Sequence, residues 1–394
     1  MSQETLKIRN FGPLTDINLV IRPFTVFVGE QGAGKSTISK IFTICRDLRW
    51  RLSILENTQN DIMRPFKEFA LEEFFNDNTF IKYQDGTDIS ILYENGIFSL
   101  TWKNYAVDDA KELLKYLITA TTTSLMKRTG NPSLESIDNH TRNLLKANVR
   151  MELYIPAERN ITGLLSQSLA SLFLNKIPFP NTILEYMSIF EKAKKEFPSY
   201  EIPFLNIRFL HREGKDRVYL SDANKELSFG ACSSGIQSVL PLLMVVDYSR
   251  KADCFDSFVV EEPEQNLFPQ NQKELLFFLT SRLNNNKCNF IITTHSPYLL
   301  SCLNVQLFAH RLYNLTDNKK AVESIISKDY MIDPNVVAVY SLGEGDNSKD
   351  YCNSLISEKT GIISVNELDS VSESIGEAYD QLYSIYLQTK KKLG

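Results

Sequence analysis

Residues Gly29-Glu30-Gln31-Gly32-Ala33-Gly34-Lys35-Ser36 fit the pattern GxxxxGK[ST], and nothing else in the chain constrains its fold so tightly. Before them stands Phe24-Thr25-Val26-Phe27-Val28, almost entirely β-branched or aromatic. After them Ile38, Ile41, Phe42 and Cys45 recur at helical spacing. A strand, a glycine loop and a helix in that order form the context in which this pattern binds phosphate. Glycines let backbone N–H groups curl around phosphate oxygens without Cβ obstruction. Lys35 would neutralise the β- and γ-phosphates and the Ser36 hydroxyl would ligate Mg²⁺. The helix N-terminus would add its partial positive charge. The expected nucleotide-binding set is Gly29, Gln31, Gly32, Ala33, Gly34, Lys35, Ser36 and Thr37, with ATP and Mg²⁺ as cofactors.

Three later segments carry candidate chemistry. The apolar run Phe258-Val259-Val260 ends in Glu261-Glu262-Pro263-Glu264. At a strand's C-terminal end one carboxylate can serve Mg²⁺ while its neighbour polarises water. Glu261 is expected in the metal role and Glu262 as general base; a strand simply ending in solvent is the other reading. Ser233-Ser234-Gly235-Ile236-Gln237 opens an apolar helix. Ser233 there is either an ordinary N-cap or, with Gly235 and the following amides, a γ-phosphate site. Thr293-Thr294-His295-Ser296-Pro297 follows another strand. That places His295 at the ligand-binding edge of a parallel sheet, where it can sense phosphate or position water.

The order of these motifs resembles the ABC-type ATPases, specifically their soluble SMC/RecF/OLD-like branch. The resemblance covers residues 1–45 and about 204–300. Walker A falls on Gly29–Thr37, the signature on Cys232–Gln237 and Walker B on Phe258–Glu262. The D-loop falls on Gln265–Pro269 and the switch histidine on His295. It implies an α/β head with a mostly parallel core sheet and an inserted mixed α/β lobe. The head would comprise residues 1–45 and 204–310, and the lobe 46–203. A segment 311–394 would complete the head and carry no nuclease. The resemblance also implies two heads meeting head to tail, each ATP lying between one subunit's Lys35 and the other's Ser233. Tyr154-Ile155-Pro156-Ala157-Glu158-Arg159, Glu261–Glu264 and Thr294–Tyr298 look like segments of OLD-like ATPases from bacterial antiphage systems; no role is assigned to Arg159. The implied function is a sensor or regulatory ATPase subunit, PARIS-like or Septu-like. Its partners would be a separate Toprim or HNH nuclease and a phage-encoded trigger. A RecF-like DNA-repair ATPase and a scaffold with little turnover are the alternatives. Several residues depart from the family pattern. Cys232 and Ser234 stand where many relatives have Leu and Gly, Glu261 stands where Asp is commoner, and no Q-loop glutamine is evident. Slow hydrolysis is the expectation.

Composition bounds the rest. Among 394 residues, 43 basic side chains meet 48 acidic ones, a net charge of −5. That opposes a wholly basic nucleic-acid binder and leaves nucleic acid open but not indicated as a partner. Hydrophobic residues make up 43%, enough for a sizeable core. The cysteines, Cys45, Cys232, Cys254, Cys288, Cys302 and Cys352, form no CxxC pair and read as reduced cytosolic thiols. Met1–Arg9 is polar and apolar runs such as Ser238–Val246 are short, so a soluble cytoplasmic protein without a membrane span is expected.

Coarse periodicity predicts strands over Leu6–Arg9, Ile17–Arg22 and Leu205–Phe209, and helices over about 46–75, 108–128 and Ile161–Lys195. Tight turns are expected at Asp85-Gly86 and Asn95-Gly96. Val336–Tyr340 followed by Glu344 and Asp346 resembles half of a Toprim site. No DxD partner follows, and a polar loop after a strand is the preferred reading. Lys390–Lys392 reads as a solvated end.

Overall fold

The computed structural model describes residues 3–86, 88–103, 105–127, 152–165, 179–286, 288–343, 351–357, 359–363 and 379–383. Glu344, Asp346 and Lys390–Lys392 lie outside them.

The strand that precedes the glycine loop, β3 (Phe24–Gly29), is buried along its whole length. It lies inside a six-stranded sheet with β7 (Glu152–Ile155), β12 (Ser257–Glu261), β13 (Asn289–Thr294), β14 (Val337–Leu342) and β15 (Cys352–Ser354). The order is β15-β14-β3-β13-β12-β7. All neighbours run parallel except β15, which is antiparallel to β14. Both faces are covered, which is why these strands read as continuous apolar runs and not as alternating ones.

Alternation reappears in where each side chain goes. Phe24, Val26, Val28, Phe258, Val260, Phe290 and Ile292 enter one core. Phe27, Val259, Ile291, Ala338 and Tyr340 enter the other. Each fully buried large apolar side chain contributes about 1.5–3 kcal/mol. The first core is roofed by helices α6 (Asn181–Glu196), α7 (Ser234–Ala252), α8 (Pro269–Asn286) and α9 (Pro297–Leu315). It also receives Ile202, Ile207, Phe209 and Val218 from an antiparallel sheet. That sheet has the order β11 (Lys225–Ser228), β10 (Lys215–Leu220), β9 (Ile207–Arg212), β8 (Ser199–Ile202).

The second core lies between the parallel sheet and a five-stranded antiparallel sheet, with α1 (Lys35–Arg46) in the layer between. This sheet joins β1 (Glu4–Phe11) and β2 (Leu14–Ile21) to β4 (Phe80–Gln84), β5 (Ile89–Glu94) and β6 (Ile97–Trp102). Its order is β2-β1-β4-β5-β6. Residues 80–102 thus continue the sheet begun by the N-terminal strands, and β7 forms an edge of the parallel sheet. Asn95 and Gly96 both have positive φ, as a two-residue turn matching the twist of its strands requires.

Arg46, at the end of α1, ties the layers together. Its guanidinium donates to Glu4 of β1 at 2.7 Å, Glu152 of β7 at 2.5 Å and Ser257 of β12 at 2.7 Å, and its side chain is 5% exposed. The helix expected over 46–75 is broken. Asp47 caps α2 (Leu48–Glu56) by accepting from Arg49 N and Trp50 N, and Asn57 ends it in the left-handed conformation. Then follow α3 (Gln59–Glu68) and a 3₁₀ turn over Glu72–Phe74. The next helix, α4, spans Val107–Lys127. The stretch predicted from Ile161 contains α5 (Ile161–Leu165) and α6, with 166–178 outside the described residues. The strand expected from Leu205 starts instead at Ile207, because Pro203–Leu205 form a 3₁₀ turn and Asn206 is left-handed. Among the described residues no helix is long and apolar enough to cross a membrane. All six cysteines are free thiols.

Candidate functional site

The expected site residues lie where parallel strands end. The glycine loop leaves β3, Glu261 closes β12, and His295 follows β13. The register pairs Glu261 with Thr293 and Thr294 with Val28, so all three exits share one edge of the sheet.

Gly34 caps α1 at φ 80°, and a Cβ there would lie 2.4 Å from a Leu14 methyl group. The first turn of α1 contains no acidic residue, which leaves its N–H groups open to an anion. Lys35 is 5% exposed. Its ammonium donates to the carbonyls of Gly29 at 2.8 Å and Glu30 at 2.7 Å. Among the described residues no carboxylate lies within ion-pair distance of it. Burial lowers its pKa to about 8, against the opposing pull of Glu262 and Glu264. A buried cation with two carbonyl partners and no counter-ion suits a phosphate. Ser36 is exposed at the helix start and Thr37 is buried. From outside the motif, the Tyr351 hydroxyl donates to the Ala33 carbonyl at 2.8 Å.

Glu261 is buried, and its Oε1 has no hydrogen-bond partner. An orphaned buried carboxylate oxygen fits the expected Mg²⁺ role beside Ser36. Among the described residues no group of three or more His, Cys, Asp or Glu side chains forms a metal cage. A cation here would therefore complete its shell with phosphate oxygens and water.

Glu262 and His295 meet, Oε1 to Nε2, at 3.5 Å, and both are partly exposed. Burial and the Lys35 charge press His295 below its ordinary pKa, while Glu262 and the Gly29 backbone pull it upward. The net effect favours the uncharged imidazole. Glu262 has φ 42°, a left-handed conformation that costs a non-glycine residue about 1–3 kcal/mol. Such strain persists only where surrounding bonds over-determine it, and here they do. Glu262 N donates to Thr293 O at 2.9 Å, and Glu262 O accepts from Gln265 N at 3.0 Å and from Arg159 at 2.6 Å.

The sequence left Arg159 without a role and Glu264 as one acid among three. Arg159 is 0% exposed and also donates to the Glu261 carbonyl at 2.6 Å. Glu264 is buried and accepts from Thr294 Oγ1 at 2.5 Å and from the His295 backbone N–H at 3.1 Å. It therefore links the turn after β12 to the turn after β13. Burial pushes its carboxyl above the ordinary range. The full Tyr154–Arg159 and Glu261–Glu264 segments were visible as motifs, but their mutual contact was not.

Ser233 and Gly235 belong to a neighbouring surface. Ser233 occupies the N-cap position of α7 but makes no side-chain cap bond, and it is exposed. A Cβ on Gly235 would lie 2.6 Å from Asn266 O, so the helix start packs directly on the segment after Glu264.

A family model described as AAA ATPase domain matches residues 46–300. The chain belongs to the AAA ATPase domain family. A relative named OLD nuclease, from Thermus scotoductus, is 24% identical over 341 residues, covering 74% of this chain. The chain spans 58% of the length of that relative. These matches agree with the SMC/RecF/OLD-like resemblance of the motifs. Among solved structures, an SMC head bound to the C-winged helix domain of ScpA matches with a TM-score of 0.45 at 13% identity, covering 91% of this chain and 99% of the other. The SMC head domain from Thermotoga maritima matches with a TM-score of 0.42 at 11% identity, covering 93% and 100%.

Proposed function

We propose that this member of the ATPase family binds and hydrolyses ATP as a slow molecular switch. The observation that carries the reading is the convergence of buried Lys35, partly exposed Glu262 and the His295 that meets it on one strand-end edge. The nucleotide would lie in the Gly29–Thr37 loop, with Lys35 and the first turn of α1 on its phosphates. Ser36 and Glu261 would hold Mg²⁺, which when bound offsets the phosphate charge. Glu262 takes a proton from water as the water oxygen bonds to the γ-phosphorus and the bond to the departing ADP oxygen breaks. His295 orients Glu262 and that water. Electrostatic placement supplies most of the rate enhancement.

Two copies engage head to tail, so that exposed Ser233 and the backbone at Gly235 complete the partner's γ-phosphate site. The uncapped Ser233 hydroxyl supports this role, as does the packing of Gly235 on the 262–266 turn. Binding closes the pair and hydrolysis releases it. The wider assignment is a sensor or regulatory subunit of a cytoplasmic bacterial antiviral system, answering a phage trigger and controlling a separate Toprim or HNH nuclease. The name of the Thermus scotoductus relative, a nuclease longer than this chain, supports a nuclease effector.

Glu262→Gln tests the switch. With ATP and Mg²⁺ it should lose at least 100-fold in turnover, retain nucleotide, and sediment as the associated form. Unchanged turnover removes Glu262 from the mechanism. Wild-type protein that neither binds nor cleaves ATP removes the entire reading. For the wider role, phage plating on cells carrying the chain with its genomic neighbour should show protection that Lys35→Ala abolishes.

A further inference from the structure

Among the described residues Arg159 is the largest side chain buried without exposure, and its charge faces two main-chain carbonyls that belong to the candidate catalytic turn. A third bond, at 3.3 Å, runs to Pro156 O. Its Nε has no partner, and the Tyr186 hydroxyl, also fully buried, has none either. A buried guanidinium is expensive to desolvate and is kept where its planar fork does something a smaller group cannot. Here the two Nη atoms take separate carbonyls, Glu261 O and Glu262 O, each at 2.6 Å. Those carbonyls lie on either side of the Glu262 α-carbon, where the extended strand β12 breaks into a left-handed turn. The backbone angle at Glu262 decides where its carboxylate points.

The segment that carries Arg159 is held at its other end by the signature region. Arg159 lies in a 3₁₀ turn, Ala157–Asn160, that runs directly into α5. Within α5, a Cβ on Gly163 would lie 2.9 Å from Gln237 Cγ. The Gln237 amide in turn donates to the carbonyls of Cys232 at 2.8 Å and Gly230 at 3.0 Å. One short segment therefore touches the start of α7 at one end and the Glu261–Glu262 carbonyls at the other.

We propose that Arg159 is a positioning residue for ATP hydrolysis: it fixes the backbone from which Glu262 is presented, acting from a segment clamped to the start of α7. This rests on the hydrolytic reading of Glu262 given above. It gives Arg159 no contact with nucleotide. Its loss should therefore reach kcat and spare nucleotide affinity, which belongs to the Lys35 loop.

The test compares wild type, Arg159→Lys, Glu262→Gln and the double variant Arg159→Lys/Glu262→Gln, in full-length protein whose folding is checked by circular dichroism. Mg·ATP turnover and calorimetric affinity for a non-hydrolysable ATP analogue are the readouts. Lysine keeps the charge but cannot span both carbonyls. Arg159→Lys should lower kcat at least 30-fold with affinity within threefold. In the Glu262→Gln background the same change should alter residual turnover less than twofold, since the residue it positions is already gone. Wild-type kcat in Arg159→Lys overturns the proposal, and so does an affinity loss matching the turnover loss. A multiplicative effect in the double variant also overturns it. If Arg159→Lys does not fold, Gly163→Ala decides: the added methyl displaces α5 against Gln237, which is buried and held by its two carbonyl bonds, and should lower kcat severalfold at unchanged affinity. Unchanged turnover there refutes the proposal. Absent wild-type hydrolysis would instead refute the ATPase reading itself.

Discussion

Raising the pH across the titration of Lys35 should weaken ATP binding in a calculable way. The Lys35 ammonium is buried, and desolvation brings its pKa to about 8. The charged groups nearest in effect are Glu262 and Glu264, which oppose the shift without cancelling it. Binding an anionic phosphate requires the protonated amine. With a pKa near 8, about nine-tenths of the protein is competent at pH 7 and about one-tenth at pH 9. Affinity for Mg·ATP should therefore fall about tenfold between those values, with a limiting slope of one proton per nucleotide. Titration calorimetry in buffers of differing ionisation enthalpy reads both the affinity and the proton uptake. Free-protein stability should change in the opposite sense. Lys35 in the folded state has the lower pKa, so the unfolded chain binds more protons between about pH 8 and the ordinary lysine value, and stability rises across that window. Lys35→Arg, which does not titrate in this range, should show a flat affinity profile if it still binds. An affinity independent of pH between 7 and 9 in the wild type would mean that Lys35 is not the phosphate-binding cation or is not desolvated.

Three further outcomes follow from contacts described above. Arg46→Ala leaves Glu4 and Glu152 buried without their cation and should cost about 3–5 kcal/mol, read as a lower urea midpoint at unchanged m-value; an unchanged midpoint would mean the layers are not tied through Arg46. Gly235→Ala forces its new methyl group to within 2.6 Å of Asn266 O, so the start of α7 must move. Sedimentation should then show loss of ATP-dependent association while a single chain still binds nucleotide, and normal association would count against the head-to-tail arrangement. Tyr351→Phe removes the hydroxyl that holds Ala33 O, at a cost of about 0.5–1.5 kcal/mol, so ATP affinity should weaken by about two- to twelvefold at most. An effect beyond 100-fold, or none at all, would show that the strand-β15 side of the loop matters differently from this account.

Local chemistry in the sequence determined the glycine loop and its flanking strand and helix. It also fixed the pair of acids ending β12, the histidine ending β13, and the α/β class. Each of these is a run of a few residues whose periodicity or backbone demand is self-contained. A strand buried on both faces must be apolar throughout, and a loop with a left-handed residue at a helix cap favours glycine there. Helix breaks at Asn57 and the late start of β9 at Ile207 were missed because both depend on a single Asn adopting positive φ. Only the tertiary structure decided which strands become neighbours. It joins residues 80–102 to β1, sets β14 beside β3, and brings β7 to the edge of β12. The same is true of Arg159 and Glu264. An arginine in a motif has no readable role until its guanidinium is found between the carbonyls of residues a hundred positions away. Pairing across the chain depends on which surfaces exclude water together, and that is a property of the packed layers, not of any short stretch of residues.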